Sequence, residues 1–159
     1  MRFIHPVDKV SITQHFGENP QTYAQFGLKG HNGIDYRTRF VDSPLGRRYV
    51  LAPAAGTIEE VGNQGTKGYG IYCRIRHEDG SQSTLGHFTK LYVKLGLLVK
   101  KGDRIALSGN TGFSSGPHIH WGWRPKNLDS KNGFAGYEDQ EKMIGDEPEC
   151  NKKCPKHCV

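Results

Sequence analysis

The stretch SGNTGFSSGPHIHW, residues 108–121, predicts a glycine- and serine-rich loop that runs into a β-strand. The strand opens with a His-x-His pair, and two tryptophans, Trp121 and Trp123, follow it. Because the side chains of a strand alternate between its two faces, His118 and His120 point the same way, about 7 Å apart. Two imidazoles on one face are half of a metal site or half of an acid–base pair, so other segments must supply the rest.

The composition suits one domain built from many short strands. The chain has 159 residues, and its 21 glycines indicate many tight turns. Lysine and arginine outnumber the acidic residues by 22 to 16, for a formal net charge of +6 at pH 7. That excess fits either a soluble surface or attraction to a polyanion such as an anionic cell envelope. The basic residues are scattered and do not interleave with aromatic ones, so we expect no nucleic-acid partner.

Hydrophobic alternation and turn residues place the strands. The Asp-Gly pair at 79–80 predicts a hairpin turn, and short strands are expected at 10–14, 49–52, 56–62, 69–76, 81–88, 104–108 and 118–124. In the last of these, Ile119, Trp121 and Trp123 share the face opposite the histidines and are expected in the core. The pattern fails after residue 125, so 126–159 is expected to be an appendage, partly ordered against the core.

No stretch is long enough to span a bilayer, and the N-terminal MRFIHP lacks the apolar region of a signal peptide. We therefore expect no membrane span. We also expect that the protein acts inside the cell, leaves it by another route or has been processed.

Cys73 lies in a predicted strand and is expected to be a buried free thiol.

The other three cysteines, Cys150, Cys154 and Cys158, fall in the last ten residues. Their spacing permits disulfides or free thiols, and with His157 beside them it also permits a second metal site.

Metal-capable side chains gather in three places: the His31/Asp35 pair, His87 and the His118/His120 pair. Glycines around the first pair argue against a helix, but a broken segment entering a strand can still aim both side chains into one pocket. A catalytic zinc site takes three protein ligands with N or O donors and leaves a position for water. Two histidines and one aspartate fit that chemistry, although spacing alone leaves open which three of the five bind metal.

Six motifs follow one another along the chain: GHNGID (30–35), APAAGTI (52–58), LGHF (85–88), VKKGD (99–103), GNTG (109–112) and GPHIHW (116–121). Together they resemble the lysostaphin/LytM-type zinc endopeptidases of peptidase family M23. The resemblance covers roughly residues 10–125. It implies an all-β fold of the duplicated hybrid motif class, with an antiparallel β-sheet core that forms a groove between long flanking loops. It divides the chain into a catalytic domain, 1–125, and a C-terminal appendage, 126–159.

The resemblance also implies a role for each candidate. His31, Asp35 and His120 correspond to the ligands of a single catalytic Zn²⁺, and His87 and His118 to catalytic histidines. Which of the two acts as base and which stabilises the oxyanion stays open. His77 matches no catalytic position and, beside the hairpin turn, is expected to be solvated. His15 is expected at the rim of the groove.

The implied function is a zinc metalloendopeptidase that uses a metal-activated water to hydrolyse peptide bonds of bacterial peptidoglycan, in the stem peptide or the cross-bridge. Such an enzyme acts at the cell wall, whether extracellular, periplasmic or carried as a phage lysin or virion component, and a monomer is expected. The alternatives are an inactive M23-like domain that binds or activates wall hydrolases, and a structural or attachment component. Substrate choice is expected to depend on the loops 17–30, 37–48, 62–69 and 109–116.

Overall fold

A computed structural model describes residues 1–145 of the chain. It contains nine strands and one short helix, with 3₁₀ turns at Ala24–Phe26 and Glu141–Met143. In chain order the elements are β1 (Ile12–Gln14), α1 (Pro20–Tyr23), β2 (Ile34–Arg37), β3 (Tyr49–Leu51), β4 (Gly56–Asn63), β5 (Ile71–His77), β6 (Gln82–Leu91), β7 (Leu98–Val99), β8 (Arg104–Ser108) and β9 (His118–Arg124). Within 1–145, no helix is both long and apolar enough to cross a bilayer.

All nine strands belong to one sheet, and every pairing is antiparallel. The main path runs β1-β2-β9-β6-β5-β4-β7, and β8 joins β6 to β3 off this path. The expected antiparallel all-β class is therefore confirmed. The order places β9 between β2 and β6, so three segments that are far apart in sequence meet at the centre of the sheet.

The two faces of β9 divide as its sequence predicts. Ile119 and Trp121 are fully buried and Trp123 is nearly so, while the histidines occupy the opposite face. The Trp121 ring packs edge-on against Phe3 from the N-terminal segment, with centroids 5.3 Å apart. Apolar burial on this scale is the main stabilising contribution to folding. The core behind β9 therefore holds the histidine-bearing face in place.

The β5–β6 hairpin forms at the Asp-Gly turn, where Gly80 has a φ of +84° and Asp79 Oδ1 accepts a hydrogen bond from the Ser81 amide at 2.9 Å. The prediction of a solvated His77 is wrong. Its ring is buried beneath Phe3, with centroids 5.4 Å apart. The position of His77 beside a turn in the sequence does not reveal that the N-terminal segment crosses over this end of the hairpin.

Residues 126–145 return to the sheet. Gln140 is fully buried, and its Nε2 donates to the carbonyl of Trp121 at 3.0 Å. Ile144 forms a parallel bridge with Phe3. The boundary after residue 125 stays a prediction, and the predictions for Cys150, Cys154 and Cys158 lie outside the described residues. Cys73 is buried and free, as expected.

Candidate metal and catalytic site

Three predicted ligands meet in a nearly equilateral triangle. His31 Nε2, Asp35 Oδ1 and His120 Nδ1 lie 3.1 Å from one another. A tetrahedral zinc ion with bonds of about 2.0–2.1 Å requires its ligand atoms to be about 3.3 Å apart, close to these distances. All three residues are buried, and they are the one cluster of this kind found in the described part of the chain. The donor set and its spacing fit a zinc ion.

The strand register brings two of these ligands together. Asp35 on β2 lies directly opposite His120 on β9. Gly33 permits the close approach, because an added Cβ would lie 2.5 Å from the carbonyl oxygen of Trp121 and 2.6 Å from His120 Cε1. The glycine that argued against a helix in the sequence is thus required by the packing of the site.

His31 is oriented by a backbone contact. Its Nδ1 donates to the carbonyl of His15 at 3.2 Å, which leaves the lone pair of Nε2 facing the triangle. A second hydrogen bond of this kind fixes the tautomer of a metal-binding histidine. The His15 side chain itself is exposed and meets Glu141 Oε2 at 2.9 Å.

Asp35 supplies the negative charge of the site. Burial alone would raise the pKa of this carboxyl group, but close contacts with the His120 and His31 rings and the nearby charge of His118 outweigh it and hold the pKa well below its ordinary value. Burial lowers the pKa of His120, which favours the neutral imidazole. An ionised carboxylate and neutral imidazoles are the protonation states that bind divalent metals.

His118 lies beside the triangle. Its Nδ1 donates to the carbonyl of Gly116 at 2.8 Å, and its Nε2 is 3.6 Å from Asp35 Oδ2. The ring is therefore held by its own loop with the other nitrogen directed at the metal-binding group. It is not a member of the triangle, and its role as a catalytic histidine stays a prediction.

His87 faces His118 across the site, with ring centroids 4.5 Å apart. Its Nδ1 donates to the carbonyl of Thr111 at 2.6 Å, which leaves Nε2 as an acceptor. Burial, together with the charges of His118 and His120, lowers the pKa of His87 to about 3. Its φ of +68° is unusual for a residue other than glycine, and its amide is held by the Tyr69 carbonyl at 2.7 Å. Strained backbone of this kind is concentrated at functional sites.

The five residues line a cleft of about 790 Å³ whose walls are three of the four predicted loops, 17–30, 62–69 and 109–116. Residues of the fourth loop, 37–48, line a second, separate cleft, and Gly46 of that loop packs against Pro117, just before β9. The expected part of loop 37–48 in substrate choice stays a prediction. Phe26 and Phe113 come from opposite walls and meet edge-to-face, with centroids 5.1 Å apart.

Sequence reasoning missed two tyrosines in this cleft. Tyr23 packs against the His31 ring, with centroids 5.2 Å apart, and its hydroxyl group bonds Gln14. Tyr69 packs near His120 at 5.4 Å. Tyr69 lies between two glycines of positive φ, Gly68 and Gly70, a signal that could have drawn attention to it. Nothing in the loop sequence singles out Tyr23.

The chain is similar in sequence to a known protein family and to several known proteins. Residues 29–132 match the family described as Peptidase family M23. The chain is 40% identical over 110 residues to an uncharacterized metalloprotease of Haemophilus influenzae, which covers 69% of this chain and 22% of the relative. It is 34% identical to the peptidoglycan DD-endopeptidase ShyB of Vibrio cholerae, over 74% of this chain and 26% of the relative. The chain thus spans less than a third of the length of these relatives.

Solved structures share the fold. The catalytic domain of the antimicrobial peptidase lysostaphin from Staphylococcus simulans superposes with a TM-score of 0.65 at 25% identity, covering 82% of this chain and 89% of that one. A zinc containing peptidase from Vibrio cholerae superposes with a TM-score of 0.66 at 29% identity, over 93% of this chain and 41% of that one.

Proposed function

Because the chain belongs to peptidase family M23, we propose that it is a zinc-dependent metalloendopeptidase that hydrolyses peptide bonds of bacterial peptidoglycan, in the stem peptide or the cross-bridge. The observation that carries the proposal is the triangle of His31 Nε2, Asp35 Oδ1 and His120 Nδ1, with two further histidines beside it in one cleft. The relative described as a peptidoglycan DD-endopeptidase supports the substrate class. The proposed place of action is the cell wall or periplasm.

In this proposal His31, Asp35 and His120 hold one zinc ion. When bound, zinc supplies Lewis acidity, which polarises a carbonyl group and makes water a stronger acid. The single negative ligand, Asp35, keeps the site cationic. Burial of all three ligands keeps bulk water away from them, which strengthens the electrostatic interactions within the site.

His87 and His118 move protons. Each donates from Nδ1 to a backbone carbonyl, of Thr111 and Gly116 respectively, so each presents Nε2 to the cleft. A neutral Nε2 can accept a proton from the attacking water, and a protonated one can donate to the oxyanion or to the departing amine. The two rings face one another, so both can reach a single scissile bond.

Two alanine variants test the division of roles. His120→Ala removes one corner of the triangle. We expect this variant to bind no stoichiometric zinc and to release no soluble fragments from purified peptidoglycan. His118→Ala is expected to retain zinc and lose turnover by about 10²-fold or more, the usual contribution of a general acid–base group. Metal analysis and the clearing of peptidoglycan suspensions measure the two effects.

His15→Ala is the matched control, since it replaces an exposed histidine outside the cleft and leaves the backbone carbonyl that orients His31. It should retain both zinc and turnover. A zinc-loaded His118→Ala protein that clears suspensions at the rate of the unaltered protein would refute the assigned role. Loss of zinc in both cleft variants would mean that His118 belongs to the ligand set.

A further inference from the structure

A cluster of basic side chains lies outside the cleft, and nothing in the proposed function involves it. It is formed by residues of four separate segments arranged around two aromatic rings, Phe40 and Tyr49. We call it the Phe40 surface and define it by five cations: Lys9, Arg37, Arg47, Arg48 and Arg104.

The aromatic rings hold four of these five cations close together. Lys9 Nζ lies 4.4 Å from the centroid of Phe40, and the guanidinium carbons of Arg37 and Arg48 lie 5.2 and 5.3 Å from it. Arg104 lies 4.1 Å from the centroid of Tyr49. Like charges at such separations repel, and cation–π attraction offsets part of that cost. The arrangement concentrates positive charge on one patch instead of spreading it.

Arg48 binds the two carboxylates of this region. Its Nε and Nη2 donate to Asp8 at 3.0 and 2.7 Å, and its Nη1 donates to Asp42 at 2.8 Å. These ion pairs hold the pKa of Asp8 below its ordinary value. Across residues 1–145, none of the other four cations of the Phe40 surface has a carboxylate within salt-bridge distance. Their charge is therefore available to a ligand.

The Phe40 surface adjoins the catalytic cleft. Arg37, at the end of β2, lies opposite His118 in the register of β2 and β9. Beyond it, Arg47, Arg48 and Arg104 line a second cleft of about 450 Å³. Gly46, next to Arg47, packs against Pro117, the residue before His118. A polymer that leaves the catalytic cleft at His118 therefore meets this basic surface next.

We propose that the Phe40 surface is an exosite for repeated anionic groups of the same wall polymer whose peptide occupies the catalytic cleft. The inference rests on the proposed function for the identity of the polymer. The shared ligand chemistry is a repeated anion, either the carboxylates of neighbouring wall peptides or the phosphates of a polymer attached to the wall. Charges held within a Debye length, about 8 Å at physiological ionic strength, act together on such a ligand, so the binding is salt-dependent.

The test compares two triple variants of the full chain for binding to purified sacculi by co-sedimentation at 4 °C. The first neutralises the exosite and spares Arg37 and Arg48, which are held in backbone and ion-pair contacts: Lys9→Gln/Arg47→Gln/Arg104→Gln. The second removes the same charge from exposed lysines of the C-terminal segment: Lys126→Gln/Lys131→Gln/Lys142→Gln. Sacculi are used with and without chemical removal of attached phosphate polymers.

At about 50 mM salt we expect the exosite variant to bind sacculi at least about fivefold more weakly than the unaltered protein. The control variant should bind less than about twofold more weakly. Binding by the exosite variant should also depend less steeply on salt concentration. If the exosite variant and the control bind equally to sacculi without phosphate polymer, phosphate is the ligand. If the exosite variant still binds these sacculi more weakly than the control, carboxylate is the ligand. Equal binding by the two variants at every salt concentration overturns the proposal.

A short soluble wall peptide with amidated carboxyl groups separates the exosite from catalysis. Both triple variants should cleave it with a kcat/KM within about twofold of the unaltered protein, since it carries no repeated anion to engage the surface. If the unaltered protein fails to cleave it, the proposed function fails, while the binding comparison still decides the exosite.

Discussion

The absence of a Cβ at Gly33 permits the backbone before β2 to lie directly against β9 and the His120 ring. At Gly33 any side chain would contact the Trp121 carbonyl and the His120 ring. At residue scale the site therefore depends on small and backbone groups as much as on its ligands. The carbonyls of His15, Thr111 and Gly116 each accept a hydrogen bond from one imidazole and so set which nitrogen faces the cleft.

Gly33→Ala should weaken zinc binding by about 10- to 100-fold, the range seen when groups that orient metal ligands are disturbed. The methyl group must displace either His120 or the β9 backbone. Competition with a chromogenic chelator measures the affinity. Gly116→Ala is the matched control, because its added Cβ would meet no atom within 4 Å. Unchanged affinity in Gly33→Ala would show that the site adapts to the methyl group.

His77 predicts a pH dependence of stability. Its Nδ1 donates to the Ala55 carbonyl and its Nε2 accepts from Ser83 Oγ, whose oxygen in turn accepts from Trp121 Nε1. Burial lowers the pKa of His77 below 6.5, so the unfolded chain binds the proton first as pH falls. Stability is therefore full above about pH 6.5 and decreases below it, by at most about 1.4 kcal/mol per pH unit for this group, until the folded-state pKa is reached.

Urea unfolding at pH 7.5 and 5.0 measures this effect. His77→Gln should reduce the loss of unfolding free energy between the two pH values, whatever its effect at either one. His15→Gln, at an exposed histidine, should leave the loss unchanged. An equal loss in His77→Gln and the unaltered protein would contradict the assignment.

At the scale of elements, loops that the sequence leaves irregular build the cleft. The 3₁₀ turn Ala24–Phe26 and the loop before β9 meet through Phe26 and Phe113, each about half exposed. Gly70 and Gly112, both with positive φ, pack so closely that an added Cβ on either would lie within 2.5 Å of the other's amide nitrogen. That contact holds Thr111, and through it His87, in position.

Phe113→Ala should alter substrate binding more than stability. A half-exposed ring contributes little to unfolding free energy, so we expect a change below about 1 kcal/mol. Loss of an aromatic contact worth about 0.5–1.5 kcal/mol predicts a rise in KM of about twofold to tenfold with kcat nearly unchanged. Leu98→Ala, at an exposed apolar residue outside the cleft, is the control. An unaltered KM on a soluble wall peptide would remove Phe113 from the substrate-binding wall.

The elements also show what sequence can predict. The alternation of β5 and β9 and the Asp-Gly turn are local signals, and the strands form where these signals place them. The meeting of His31 with Asp35 and His120 depends on the β2–β9 register, which no local pattern contains, so only the family resemblance anticipated it. The burial of His77 depends on the distant N-terminal segment, and it was predicted wrongly. The placement of loop 37–48 along a second cleft likewise depends on contacts that no local pattern contains.

At the scale of the whole molecule, the segment 126–145 is tied to the strand that carries His120. Gln140 donates to the Trp121 carbonyl inside the core, and the Tyr137 hydroxyl group meets Thr84 Oγ1 at 2.9 Å. Phe3 and Ile144 pair beside them, so both ends of the described chain pack behind β9.

Gln140→Ala should lower the unfolding free energy by about 1–3 kcal/mol, because it leaves the buried Trp121 carbonyl without this donor. Chemical denaturation measures the change. Glu138→Ala, at an exposed neighbour in the same segment, should stay within about 0.5 kcal/mol of the unaltered protein. Equal stabilities for the two variants would show that the segment contributes no more than a surface loop.

The central claim is that the His31, Asp35 and His120 triangle holds a zinc ion used to cleave wall peptides. Its most direct test is mass spectrometry of the termini produced when purified sacculi are digested by the zinc-loaded protein. We predict equal amounts of one new amino terminus and one new carboxyl terminus at a peptide bond, abolished by chelation and restored by zinc. No new termini from the fully zinc-loaded protein, or cleavage that continues unchanged after the metal is removed, would contradict it.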